Sequence, residues 1–205
     1  LGGGGAIASL ALGLVLTWRA SRVVNFAHAA MGTYIAFAYF EFRDKGDLVL
    51  PVIGLPDRVH LLPTPTLAAA LVMALVLGAL VGLVVYLLVF RPLRTAPPLA
   101  RVVASLGLYL YFQEITRLRF PTAGASAVTR LAVLPEHTVE LFGTGVSANR
   151  LLLAGLVMVV TAVLVVVFHT TRFGLATRAA AGSEKAAVLA GISPDRVAAV
   201  NWMIA

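Results

Sequence analysis

The chain has 205 residues, 60% apolar and only 12% charged, where an average soluble domain carries about 25% charged residues. That deficit excludes a soluble globular domain, and the high apolar content excludes a disordered chain. The absence of cysteine excludes disulfides, thiolate metal sites and a thiol nucleophile, while the net charge of +7 falls between apolar stretches and reads as a topology signal rather than a nucleic-acid footprint.

A bilayer core of about 30 Å is crossed by about 20 mainly apolar helical residues, so stretches free of charge mark the candidate spans. Residues 1–18 are the first. No basic segment precedes this run, and Arg19 and Arg22 follow it, which disfavours a signal peptide and predicts a transmembrane helix whose beginning lies before Leu1. Gly5, Ser9 and Gly13 give it a stripe of small residues. Residues 23–40 are the second span, with Asn25 and His28 three apart on one helical face that continues to Gly32 and Ala36. Polar groups inside a span are costly, so these two either hydrogen-bond neighbouring helices or line a translocation path or gate.

Pro63 and Pro65 hold off the next helix and leave Leu67–Phe90 as the third span. Ala70, Ala74, Gly78 and Gly82 repeat every four residues along it, the last two as a GxxxG. Small residues at that spacing let another membrane helix approach closely. Residues 99–120 form the fourth span: 102–113 are uncharged, and Arg101, Arg117 and Arg119 lie where long side chains can snorkel to an interface. Gln113 is a further path candidate, and Glu114 belongs at the outer interface. Residues 151–171 are the fifth span, and the apolar run 197–205 starts a sixth.

If the spans alternate, nine Lys and Arg share one side with Glu184 and Asp195, and the other seven share the opposite side with the remaining seven acids. The richer side is assigned to the cytoplasm. The loops 41–66 and 121–149, punctuated by Pro and Gly, then face outward. His60, His137 and His169 have no ligand-like spacing and are expected at the surface.

The cytoplasmic segment 170–196 reads TTRFGLATRAAAGSEKAAVLAGISPDR. Ser183 suits the N-cap of a short helix over 184–190, whose Glu184 carboxylate favours the positive helix end. Gly191 stands where a left-handed C-terminal cap falls, and Ser193 and Pro194 form the N-cap and first residue of the next helix. A short Ala-rich helix held at both ends suits docking in another protein's groove or lying on lipid headgroups. The chain has no GxxxxGK[ST] loop, no HExxH and no carboxylate pair within a span, so an enzyme, including one built around His28, is disfavoured, and no cofactor is expected.

Three stretches carry a resemblance. RASRVVNFAHAAMGTYIA resembles the segment around N-F-A-H-G in permease subunits of branched-chain amino acid ABC transporters of the LivH type. FRPLRTAPPLARVVASLGLYLYFQ continues the match, and TRFGLATRAAAGSEKAAVLAGISPDRV resembles the family's cytoplasmic A-A-x-x-x-G loop, a variant of the E-A-A loop of ABC importers. Ala29 departs from the family's Gly after the His, and Lys185 separates Glu184 from Ala186 and Ala187. The resemblance implies an all-α, polytopic transmembrane bundle of about five spans plus the start of a sixth, a single permease domain over 1–205 that is part of a longer chain, in a bacterial inner membrane. It implies import of branched-chain or related hydrophobic amino acids with separate ATP-binding subunits, a second permease subunit and an extracytoplasmic solute-binding protein. The loop 172–193 would couple to the ATPase through Arg178, Ser183, Glu184, Ala186, Ala187 and Gly191. The rival reading is a secondary transporter or channel that needs no ATPase.

Overall fold

The computed structural model describes residues 2–21, 24–54, 58–121, 138–141 and 144–205. Its helices are α1 (Gly2–Ser21), α2 (His28–Lys45), α3 (Leu67–Val85), α4 (Pro98–Arg119), α5 (Ala148–Thr170), α6 (Arg172–Gly182), α7 (Glu184–Leu189) and α8 (Pro194–Ile204). Two small antiparallel hairpins join them, β1 (Asp47–Leu48) with β2 (Val59–His60) and β3 (Thr138–Leu141) with β4 (Thr144–Ser147). Among the described residues, two helical stretches are long and apolar enough to cross a membrane, Leu67–Phe90 and Leu151–Thr170. Large apolar side chains point outward along the helices: Leu75 and Leu88 of the α3 stretch are 73% and 72% exposed, and Leu99 of α4 is 72% exposed. Such a surface is costly in water and ordinary in lipid.

The core gathers where α2, α3, α4 and α8 meet, around Ala30, Tyr34, Ala38, Leu77, Val81, Val85, Phe112, Ile115 and Trp202. α1 packs on α2, α5, α6 and α8. Ala70 and Ala74 at the start of α3 meet Tyr39 and Phe42 of α2.

Several elements differ from the sequence reading. α2 starts at His28 and runs to Lys45, past the charges that marked the end of the span. Glu41 takes Lys45 at 2.9 Å and Arg58 at 2.6 Å, and Arg43 donates to the Pro65 carbonyl, so these charges are paired on a helix that outlasts its apolar part. Gly46 then closes α2 in the left-handed region, at φ 74°. The loop 41–66 is therefore helical at its start and carries a hairpin. Beyond Gly46 the chain folds back on the bundle. Val49 is fully buried in the core, its carbonyl accepting the Tyr34 hydroxyl at 3.0 Å. Tyr111 donates to the Pro51 carbonyl at 2.5 Å and Arg119 to the Val52 carbonyl at 2.7 Å. Irregular backbone packed against a helical bundle needs partners for its carbonyls, and these three side chains supply them. Arg101 is half-buried, and its Nε has no hydrogen-bond partner among the described residues.

α3 ends in a π-helical turn, Tyr86–Phe90, with the Arg91 amide bonded to the Tyr86 carbonyl at 2.7 Å, and a 3-10 turn, Pro92–Thr95, follows. Pro92 has no N–H to continue the α ladder, so the helix changes its winding before it stops. At the end of α5, Thr171 caps α6 by accepting the Gly174 amide at 3.2 Å. A Cβ at Gly174 would collide with the Phe168 backbone, which is why the corner between α5 and α6 needs glycine. α6 itself is a helix that the sequence reading left unassigned.

Candidate functional site

A cleft of about 260 Å³ opens between one wall from α1 and α2 and another from α3 and α8. Thr17, Asn25, His28 and Trp202 bring polar groups to it, while Ile35, Leu75, Gly78 and Val81 are among its apolar surfaces. Six residues singled out in the sequence thus meet in one place: Asn25, His28, Gly32, Ala74, Gly78 and Gly82.

Their arrangement departs from a single helical face. Asn25 precedes α2, is 1% exposed, and accepts the Ala27 amide on Oδ1 at 3.1 Å. That bond is an Asx-type turn that reverses the chain ahead of the helix. His28 is the first residue of α2, and Gly32 and Ala36 are exposed. The His28 ring lies against Gly13, where any Cβ would overlap it. Gly13 of the α1 stripe therefore makes room for a side chain instead of a backbone.

The GxxxG of α3 divides its labour. At Gly82 an added Cβ would run into the Trp202 carbonyl group, so α3 and α8 touch backbone to backbone. At Gly78 an added Cβ would meet nothing within 4 Å, and the missing side chain leaves cleft volume. Trp202 closes the contact, stacked on Phe90 at 4.5 Å and tilted against Tyr86 at 6.3 Å. Its indole Nε1 and the neighbouring Asn201 Oδ1 are buried without a hydrogen-bond partner among the described residues.

Gln113 does not join this cleft. It is exposed, donates to the Tyr109 hydroxyl at 2.7 Å, and lines a separate groove of about 520 Å³ between α2 and α4. Glu114 in the same groove pairs with Arg117 at 2.9 Å. Ala29, the departure from the family pattern, is another exposed wall residue there. His60 is exposed and has Nδ1 2.8 Å from Asp47 Oδ1. His169 is exposed and faces Arg178 at 3.5 Å, while His137 lies outside the described residues.

The second feature is the short helix α7. Ser183 is extended and accepts the Ala186 amide at 3.3 Å, and Gly191 is left-handed at φ 77°. α7 thus has the predicted caps, with one residue fewer than expected. Ser193 stands before Pro194 as predicted, yet its side chain makes no capping bond. Ala187 is 2% exposed whereas Leu189 is 90% exposed. Ala187 consequently anchors α7 to the bundle, and Ala186, Val188 and Leu189 form the face left open.

The sequence shows charge gathered around α7 but not which groups pair. Glu184 Oε2 accepts Arg94 Nη2 at 2.9 Å, and the same guanidinium reaches Asp195 of α8 through Nη1. Asp195 also takes the Tyr86 hydroxyl at 3.4 Å and lies 3.7 Å from Arg91 Nε. The hydrogen bond that Arg94 donates to Glu184 holds the Arg94 guanidinium above its usual range. Deeper in, Asn201 of α8 donates to Thr177 of α6 at 3.3 Å, both buried. The signal in the sequence was two arginines after the third span and two acids flanking 184–195, too far apart to pair without the fold.

Comparison with known proteins gives a consistent picture. The family described as branched-chain amino acid transport system / permease component matches residues 2–205. The high-affinity branched-chain amino acid transport system permease protein LivH of Escherichia coli strain K12 is 26% identical over 208 residues, covering 98% of this chain and 63% of its own length. BraD of Pseudomonas aeruginosa, named for the same high-affinity system, has the same identity and coverage, and LivH of Salmonella typhimurium is 24% identical. The chain thus spans about 63% of the length of these curated relatives. No solved structure matches.

Proposed function

Given that the chain belongs to the family of permease components of branched-chain amino acid transport systems, a family of helical membrane bundles, we propose that it forms part of the permease of an ATP-driven importer for branched-chain or related hydrophobic amino acids. In this reading ATP is hydrolysed by separate subunits, a second permease chain completes the pathway, and an extracytoplasmic binding protein delivers the solute. The bundle crosses a bacterial inner membrane several times, with the α7 end in the cytoplasm and the loops 41–66 and 121–149 outside.

The observation that carries the reading is α7 itself. It is capped at both ends, anchored by Ala187, and offers an exposed apolar face that ends at Leu189. A helix presented this way fits a groove in a partner, and ATPase closure would push on it. The cleft supports the transport side: a wall of small and aliphatic groups with a few polar ones suits an aliphatic solute. Asn25 and His28 are the proposed path residues.

The test is Leu189→Glu in the full-length protein. Leu189 faces away from the bundle, so the variant is expected to fold, yet lose co-purification with the ATPase subunits and lose uptake driven by the binding protein. Intact co-purification and uptake would refute α7 as the docking helix; uptake that needs no ATPase would establish a secondary transporter instead.

A further inference from the structure

We infer that Arg94 is the positioning residue that transmits movement of α7 to the cleft. The inference rests on the reading of α7 as the ATPase-docking helix, and it concerns what lies on the other side of that helix.

Outside its own chain connections, α7 has few holds on the bundle. Ser183 on one side is extended and Gly191 on the other is left-handed, so the helical ladder is interrupted at both joints and they are the places where the chain bends most readily. A push on α7 would be absorbed at these joints unless something tied the helix to the body. Ala187 supplies an apolar contact, and the bridge from Glu184 to Arg94 supplies the charged one.

Arg94 is well placed to spread that load. One fork of its guanidinium holds Glu184 of α7 and the other holds Asp195 at the start of α8. Its backbone belongs to the turn that follows the π-helical end of α3. A planar guanidinium can hold two carboxylates in fixed directions at once, which an ammonium cannot. One side chain therefore ties α7, α8 and the end of α3.

From there the path to the cleft is made of packed groups. Tyr86 and Phe90 of the π-turn lie against the Trp202 ring, and the Trp202 backbone rests on Gly82. α3 and α8 are thus joined at both their charged end and their close approach, and together they form one wall of the cleft. The opposite wall, with Thr17, Asn25 and His28, belongs to α1 and α2. Displacing α7 with Arg94 in place shifts one wall against the other; without Arg94 it flexes the joints at Ser183 and Gly191.

The experiment uses the full-length permease, assembled with its ATPase subunits in proteoliposomes and supplied with binding protein, and measures solute taken up per ATP hydrolysed. Arg94→Gln is expected to co-purify with the ATPase at the wild-type level and continue to hydrolyse ATP, with uptake per ATP lowered about five- to tenfold, the lower range of typical couplings between sites. Arg94→Lys, whose ammonium is a single point charge, is expected to fall between the two. Arg91→Gln is the control: Arg91 lies 3.7 Å from Asp195 and makes no ion pair with α7 among the described residues, so the ratio should stay close to wild type. A wild-type ratio in Arg94→Gln overturns the inference, as does an equal fall in Arg91→Gln, or a loss of assembly in Arg94→Gln that would make Arg94 a folding residue. The docking reading fails separately, through Leu189→Glu, in which case co-purification survives whatever Arg94 does.

Discussion

Gly78 and Gly82 occupy the same helix and the same motif, yet replacing each with alanine is expected to have opposite effects. In a helix interior, alanine is favoured over glycine by about 0.5 to 1 kcal/mol. At Gly78 the new methyl would meet nothing within 4 Å, so Gly78→Ala is expected to be neutral or stabilising by that amount. At Gly82 the methyl would overlap the Trp202 carbonyl, with the carbonyl carbon at 3.0 Å and Met203 Cα at 3.6 Å. These are backbone atoms and cannot rotate away, so α8 must move and the stack of Trp202 on Phe90 must loosen. Overpacking of this kind costs about 1 to 3 kcal/mol, and the helix gain offsets only part of it. The two variants should therefore differ by about 1 to 3 kcal/mol, which at about 2 to 4 °C per kcal/mol for a chain of this size is a gap of about 2 to 12 °C in Tm. Thermal unfolding of the purified protein in one detergent measures it, and the tryptophan fluorescence of Gly82→Ala should report the shifted ring. Equal Tm values, or a larger loss at Gly78, would refute the backbone contact between α3 and α8. If the cleft is the proposed path, Gly78→Leu should fill part of it and depress uptake while leaving Tm near that of Gly78→Ala.

Three further outcomes follow from local geometry. Tyr34→Phe leaves the buried Val49 carbonyl without its donor, an unmade bond worth about 1 to 3 kcal/mol; hydrogen exchange in residues 46–53 should rise, and unchanged exchange would mean that the fold-back does not depend on this hydroxyl. Gly191→Ala forces a methyl-bearing residue to the left-handed region at a cost of about 1 to 2 kcal/mol, and Gly191→Asn should cost less; limited proteolysis around 184–193 should rank them alanine, asparagine, glycine from most to least cut. Ser183→Ala removes the N-cap acceptor of α7, costing about 1 kcal/mol locally, so exchange of the Ala186 amide should speed up while exchange in α3 stays the same.

Two spans, Leu67–Phe90 and Leu151–Thr170, were legible because lipid imposes a simple demand, a long apolar run, and α3 with its π-turn ends at the residues that composition marked. Helix ends were less legible, because charge locates the edge of the apolar zone and not the last hydrogen bond. Glu41, Arg43 and Lys45 look like a terminus in sequence and are the paired last turns of α2 in space. Asn25 misled for a related reason: at helical spacing from His28 it counted as part of the span, but an Asn that can bond its own chain two residues on competes with helix formation. The fold-back of residues 46–53 was invisible because its partners, Tyr34, Tyr111 and Arg119, are scattered over 85 positions.

The functional features divide along the same line. The caps of α7 are written in adjacent residues, Ser183 and Gly191, and could be read directly. What α7 is attached to could not, since Arg94 is 90 residues from Glu184 and 101 from Asp195. The small-residue stripe of α3 shows why local pattern stops short of role. Ala70 is buried against α2, Gly78 leaves space for the cleft, and Gly82 admits the α8 backbone. All three satisfy one spacing rule, and only the elements opposite decide what each small residue is for. The cleft exists because α8 crosses the stripe at Gly82 and α2 meets it at Ala70, leaving the glycine between them uncovered. A cleft can therefore be built from a packing motif by withholding a partner at one step of it, and if this cleft is the proposed path, substitutions along that stripe should separate stability from uptake according to position.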